Sequence, residues 1–343
     1  MRPKIKKVSI ILFLLSSLLI FSTLAQVSLT GAGATFPYPL YSRWFYEYEQ
    51  ETKIKINYQA IGSGAGIQQI KAGTVDFGAS DSPLTGEEQK QSGLIMIPTV
   101  AGSIVMIYNL PGVGKGLKLS REIIADIYLG KIKRWTDPKI TILNKDIKIP
   151  DLPITVVRRS DGSGTTHIFT AFLSAVSSEW KEKVGAGTSV NWPIGIGGKG
   201  NAGVAGTVQN TPGAIGYVEL AYAEQNNIPY AQIRNKLGNF VFPNKETVQS
   251  ALSLYQVPND FYVFTVDAPG RNSYPIVGYT FLLIRKEQKD LEKAKALISF
   301  IKWAYAKGDK YAEELLYVPL PEKVKNLALR RLKEITYMGK PVE

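Results

Sequence analysis

The sequence predicts an α/β fold with mixed or parallel sheets, on three observations. Short β-type runs alternate with helix-type runs along the chain. Apolar runs such as LIMIPTV (94–100) and IVGYTFLLI (276–284) have the length of buried strands. With 45% hydrophobic and 20% charged residues, a chain of 343 can bury sizeable cores. That length corresponds to about two or three domains.

Each element follows from its residues. VSLT (27–30) is a strand, and 37–51 a helix with Pro37 near its first turn. IKINYQ (54–59) alternates as a strand, and GAGIQQIKAG (64–73) is a short helix closed by Gly73. VDFGAS (75–80) is a strand and 85–92 a helix; LIMIPTV (94–100) and SIVMIYN (103–109) are two apolar strands. REIIADIYLG (121–130) is a helix ending at Gly130, ITVVRR (154–159) a strand and GTTHIFTAFLSAV (164–176) an amphipathic helix. NAGVAGTVQN (201–210) is a weaker helix before the strand AIGYVE (214–219). The stretch 235–275, broken by Gly238, Pro243, Pro258, Pro269 and Gly270, is loop-rich. After the strand 276–284 come an amphipathic helix over 290–307 and a basic helix over 321–337. Helical spacing of the aromatics in 44–48 and 303–305 speaks for packing more than for ligand stacking.

The 41 Lys+Arg against 29 Asp+Glu leave a net charge of +12, with one His and no Cys. The missing Cys excludes disulfides, thiolate metal sites and cysteine nucleophiles, and one His leaves little room for zinc. No metal, cofactor or catalytic residue is expected. Residues 1–25 carry Arg2, Lys4, Lys6 and Lys7, then a charge-free apolar run from Val8 to Ala25 ending in Thr23-Leu24-Ala25. This is the layout of a signal peptide, with a retained membrane anchor as the rival reading. Without Cys, a lipid-anchored lipoprotein is excluded. Removing 1–25 lowers the net charge to +8, and export makes nucleic acid an unexpected partner.

Three strand-to-helix turns share one design: LTGAGATFP (29–37), IGSGAG (61–66) and VVRRSDGSGTT (156–166). Each offers free backbone N–H groups, a hydroxyl and the positive end of a helix dipole, which together suit an anion. Arg159 adds a planar charged donor. The competing reading makes the Ser and Thr residues ordinary helix caps. Asp81 ends the strand 75–80 and can only accept hydrogen bonds when ionised. Beside an anion this makes sense if the anion carries a proton, as phosphate does and sulfate does not. Other matches are weaker. Gly195 to Gly200 satisfies G-x-G-x-x-G without a clear preceding strand, so no dinucleotide site is inferred. Ser163 and His167 invite a hydrolase reading, but no G-x-S-x-G surrounds Ser163, and His167 is expected to be structural or at the surface.

LTGAGATFPYP, YQAIGSGAG, VDFGASDSPL, DIYLGKIKRW, VVRRSDGSGTT, WPIGIGGKGN and PGAIGYVELAYA stand in order between 29 and 223. Together with YPIVGYTFLLI and FIKWAY they resemble the extracytoplasmic phosphate-binding protein (PstS) family of the high-affinity phosphate ABC importer. The resemblance implies a two-lobed periplasmic-binding-protein-like fold with two hinge crossovers. Lobe I would comprise 26–104 plus 279–343, and the inserted lobe II 105–278. It also implies a phosphate site of Ala34, Thr35, Phe36, Ser63, Asp81, Arg159, Ser163, Gly164 and Thr165. Arg159 would contact or balance the ligand and Asp81. The implied partners are inorganic phosphate and an ABC permease at the membrane; the chain would be a monomer, exported and either periplasmic or extracytoplasmic and membrane-associated. Relatives often place Ser-Gly where Gly64-Ala65 stands, and an aromatic where His167 stands. The alternative from the residues alone is a secreted phosphatase or phosphoryl-transfer enzyme, or a receptor for another oxyanion.

Overall fold

The structure, a computed structural model, describes residues 27–343, so the expected signal segment lies outside the described residues. Strand β1 (Ser28–Gly33) leads into helix α1 (Tyr38–Thr52), opened by Pro37 and closed by Lys53 in the left-handed conformation. β2 (Lys55–Ala60), α2 (Ser63–Ala72), β3 (Phe77–Ser80) and α3 (Gly86–Ser92) keep the rhythm. Thr85 and Glu88 form a capping box that starts α3. β1 pairs in parallel with both β2 and β3, so the turns after all three open at one edge.

β4 (Leu94–Tyr108) is one buried strand where two were expected. Ala101-Gly102 separates the two expected runs, but the strand runs on because it changes partners along its length. Beyond it come β5 (Lys118–Ser120), α4 (Arg121–Tyr128), α5 (Pro138–Thr141), β6 (Thr155–Arg159), α6 (Gly164–Val176) and α7 (Ser178–Lys183). β7 (Ile196–Gly198), α8 (Gly200–Gln209), β8 (Ala214–Glu219) and α9 (Leu220–Gln225) follow. The loop-rich stretch holds β10 (Phe240–Val241), which pairs with β9 (Gln232–Arg234), then α10 (Lys245–Leu252) and β11 (Thr265–Val266).

β12 (Ile276–Arg285) returns the chain to β4 and β3, pairing antiparallel with both. β13 (Glu287–Gln288), α11 (Leu291–Lys307), α12 (Asp309–Glu314) and α13 (Glu322–Leu332) follow. The last helix stops at Leu332, short of the expected 337. Residues 336–337 instead form β14 (Thr336–Tyr337), held by β13 and β15 (Lys340–Pro341).

The main sheet runs in the order β2-β1-β3-β12-β4-β8-β6-β7. β4 pairs with β12 through Ser103 and with β8 from Ile104 onward. The molecule therefore has two lobes, joined through the long strands β4 and β12. Each lobe has its own aromatic core: Tyr41, Trp44, Phe45 and Phe300 in one, Tyr128, Phe169, Trp192 and Tyr217 in the other. Burying one such ring is worth roughly 1.5–3 kcal/mol, enough for each lobe to hold its turns rigid. The helical aromatics Trp44, Phe45, Tyr48, Trp303 and Tyr305 are indeed buried, while Tyr46 is exposed. Among the described residues no helix is long and apolar enough to cross a membrane.

Candidate functional site

The three glycine-containing turns, far apart in sequence, meet between the lobes. The N–H of Gly64 donates to the carbonyl of Gly162 at 2.9 Å. A Cβ on Gly164 would lie 2.7 Å from Asp81 Cβ and from Ser63 Oγ, so the α6 start is pressed against the ends of β3 and α2. Gly62, at φ +97° and facing Asp161, occupies a backbone position that a side chain would strain. Asp81, Ser63, Arg159, Ser163 and Thr165 are all buried.

Each expected residue has a definite place. Ser63 opens α2; its Oγ accepts from Asp81 N–H at 3.2 Å, and its own first-turn amide has no acceptor within the helix. Gly164 and Thr165 are the first two residues of α6 and present first-turn amides in the same way. Ser163 is the α6 cap, its Oγ accepting from Thr166 N–H at 3.0 Å, so the cap reading holds for its hydroxyl in this structure. Its own N–H donates to Thr188 O at 2.8 Å. Thr35 sits where the first turn enters α1, and its Oγ1 accepts from Asn201 Nδ2 at 2.8 Å. Ala34 is drawn into the sheet, its N–H donating to Ala79 O at 2.9 Å, and the Phe36 carbonyl accepts from Tyr317 Oη at 2.7 Å.

The charges are arranged in two groups. Arg159 Nε donates to Asp161 Oδ1 at 2.8 Å and Nη2 donates to Oδ2, a fork that joins the two planar groups edge to edge. Burial alone would raise the Asp161 pKa, but Arg159 together with the Gly200 and Asp161 amides outweighs it and holds the carboxyl below its usual value. Asp81 has no such fork. Its Oδ1 accepts from Thr280 Oγ1 at 2.8 Å, and its Oδ2 lies 3.5 Å from Thr165 Oγ1. Burial pushes its pKa up to about 7, against the opposing pull of Thr280 and of the Arg159 charge. Arg159 Nη1 reaches Thr165 Oγ1 at 3.4 Å, linking the two groups through one hydroxyl.

Three contributors were missed in the sequence. Asn201 is fully buried and bridges Thr35 to Thr165, its Nδ2 lying 2.8 Å and 3.2 Å from their hydroxyls. It follows a fourth strand-to-helix turn, the G-x-G-x-x-G stretch 195–200, as the second residue of α8. Its strand β7 lies inside the motif, and Gly200 N–H donates to Asp161 at 2.9 Å. The strand was illegible because three residues with two glycines carry no β signal. Thr280 lacked a signal because its partner Asp81 stands 199 positions away; Asp161 stands two residues from Arg159, but a carboxylate in an anion-type turn carries no signal of which cation it meets. His167 turns from Ser163 toward Ser82, with Nδ1 at 2.6 Å from Ser82 Oγ, which bears out a structural role. Beside the buried group lies a cavity of about 470 Å³, with Thr35, Asp161, Lys199 and Tyr222 in its wall. Among the described residues no group of His, Asp and Glu could hold a metal.

These features define a two-lobed α/β protein whose lobes meet on a buried polar cluster rich in hydrogen-bond donors. A model of the PBP superfamily domain matches residues 22–307. The phosphate-binding protein PstS of Xylella fastidiosa is 49% identical over 299 residues, covering 86% of this chain and 82% of that protein. The PstS of Pasteurella multocida is 48% identical over 321 residues, covering 93% of each. The chain belongs to the PstS phosphate-binding protein family. The fold matches that of solved structures at lower identity. One is a phosphate-binding protein from Stenotrophomonas maltophilia with a TM-score of 0.69, 20% identity and coverage of 89% and 94%. Another is a high-affinity periplasmic phosphate-binding protein with phosphate bound, with a TM-score of 0.71, 22% identity and coverage of 88% and 92%.

Proposed function

We propose that this protein is an exported receptor that binds inorganic phosphate between its lobes and hands it to an ABC permease. The observation that carries the reading is the setting of Asp81: a buried carboxyl among hydroxyls and helix-start amides from both lobes. Asp161 matches the charge of Arg159, so the cluster attracts an anion by aligned donors more than by net charge. An ionised Asp81 repels any anion that has no proton to share. Phosphate carries a proton that Asp81 can accept, and sulfate does not.

In this reading the phosphate contacts are Thr35, Phe36, Ser63, Asp81, Arg159, Ser163, Gly164 and Thr165, with Ala34 contributing through the backbone of its turn. Lobe I comprises 26–104 plus 279–343 and lobe II 105–278. Contacts from both lobes favour the closed arrangement, so phosphate shifts the population toward it. The protein acts as a receptor and not as an enzyme. Ser163 Oγ is engaged with Thr166 N–H, and the His167 imidazole is directed to Ser82, which leaves Ser163 without the base that a hydrolase reading would give it. Titration calorimetry at pH 8 tests the reading: one phosphate per chain is expected, with little competition from sulfate. Equal binding of the two anions would overturn the specificity, and turnover of a phosphate ester lost in Ser163→Ala would replace receptor by enzyme.

A further inference from the structure

We propose that Thr280 is a specificity-determining residue: its hydroxyl holds Asp81 as a hydrogen-bond acceptor and so makes the site demand a proton-bearing anion. The inference rests on the phosphate reading above.

Thr280 is fully buried, and its Oγ1 donates to Asp81 Oδ1 at 2.8 Å. A donated hydrogen bond favours the ionised carboxylate over the neutral acid. It also settles which oxygen faces the cleft. With Oδ1 taken by Thr280, Oδ2 is the atom turned toward Thr165 and the α6 start.

The backbone supports this placement. β12 shifts its register against β4 between Thr280 and Phe281, and such an irregularity re-aims the side chain beside it. The Thr280 carbonyl accepts from Thr99 Oγ1 at 3.2 Å, and Thr99 Oγ1 lies 2.8 Å from Tyr41 Oη. Thr280 is thus held at both its backbone and its hydroxyl by buried groups of one lobe.

The groups acting on Asp81 differ in when they can act. Thr280 sits on β12, which pairs directly with β3 just before Asp81 (Phe281 opposite Ser80). That bond persists whatever the position of the other lobe. Arg159 on β6 and Thr165 on α6 belong to the other lobe and reach Asp81 only when the lobes meet. Glu219 on β8 and the phenols of Tyr41, Tyr58, Tyr222 and Tyr317 also feel the Asp81 charge, and a second negative charge there is disfavoured. Against that surrounding, Thr280 is the donor that favours ionised Asp81 before the cleft closes. Loss of the hydroxyl leaves Asp81 protonated at higher pH. A protonated carboxyl is a donor, and a donor accepts sulfate as readily as phosphate.

The test compares wild type, Thr280→Val, Thr280→Ala and Thr280→Ser by titration calorimetry with phosphate and sulfate from pH 5 to pH 9. Proton exchange is read from buffers of different ionisation enthalpy. In Thr280→Val and Thr280→Ala the preference for phosphate over sulfate should fall about tenfold or more at pH 8. The pH below which sulfate binds should move upward, and Thr280→Ser should restore both. Thr280→Ala keeps the test open should the valine variant fold poorly. Phosphate binding with unchanged anion preference and unchanged proton exchange in both variants would overturn the role of Thr280 alone. Absence of phosphate binding in the wild type would overturn the phosphate reading and this inference with it.

Discussion

His167 Nδ1 and Ser82 Oγ stand 2.6 Å apart, tying α6 of one lobe to the segment after β3 of the other. The imidazole also lies against Phe264, and burial lowers its pKa to about 4, the Glu88 carboxylate on α3 opposing this slightly. The ring is therefore neutral where it joins the lobes, while a solvated His titrates near 6.5. Its contribution is complete above that value and is lost as pH falls from there toward 4. Thermal unfolding should show the melting temperature of the wild type dropping more steeply between pH 6.5 and pH 4 than that of His167→Phe. Parallel curves would show that the ring does not titrate in this way.

Arg159 and Asp161 are predicted to stand or fall together. Arg159→Ala leaves the half-buried Asp161 and the buried Asp81 without their cation, a loss of about 3–5 kcal/mol for breaking such a pair. Urea denaturation should register that loss, and calorimetry should find phosphate binding abolished. Arg159→Lys should recover little, because a single ammonium cannot reproduce the two-pronged contact.

Gly164→Ala tests closure without removing a polar group. The new Cβ would sit 2.7 Å from Asp81 Cβ, Asp81 N and Ser63 Oγ, contacts that can be relieved only by holding the lobes apart. Overpacking of this kind costs about 1–3 kcal/mol, so affinity should fall roughly 10- to 100-fold. Small-angle scattering should show phosphate compacting the wild type but not the variant.

Asn201→Leu removes the bridge between Thr35 and Thr165 while nearly conserving volume. Together with the bond its Oδ1 accepts from Glu219 N–H, three hydrogen bonds are lost, which predicts a fall in phosphate affinity of about tenfold or more. Asn201→Asp should be worse, since it sets a carboxylate against Thr35 and Thr165, where the incoming anion would bind. An affinity order with Asp above Leu would contradict this account.

Sulfate rejection should itself depend on pH. Because burial raises the Asp81 pKa to about 7, the group gains its proton as pH falls through neutrality and becomes a donor. Sulfate competition against phosphate, weak at pH 8, should therefore strengthen toward pH 5. A preference that stays constant across this range would mean that Asp81 does not set it.

Much of this was legible because it is local. The α6 helix matches its expected bounds, 164–176, since Ser163 caps it and its apolar period is unbroken. The anion-type turns were legible for the same reason: glycines, hydroxyls and a following helix lie within a few residues of one another. β4 was not, because Ala101-Gly102 looks like a break until β12 and β8 are seen to share its length. The end of the last helix was misjudged because β14 is paired with β13, some fifty positions earlier, as well as with β15 just after it.

By itself the sequence determined the α/β alternation, the four-turn chemistry in three of its parts and the family to which the motifs belong. Those are properties of short windows, where propensity, capping and hydrophobic period act. Tertiary structure decided that Gly200 N–H meets Asp161, that Asn201 joins Thr35 to Thr165, and that Thr280 holds Asp81 from 199 positions away. The physical reason is that a buried polar group takes whichever partner the packing of the two lobes brings within hydrogen-bond reach, and separation along the chain carries no information about that distance.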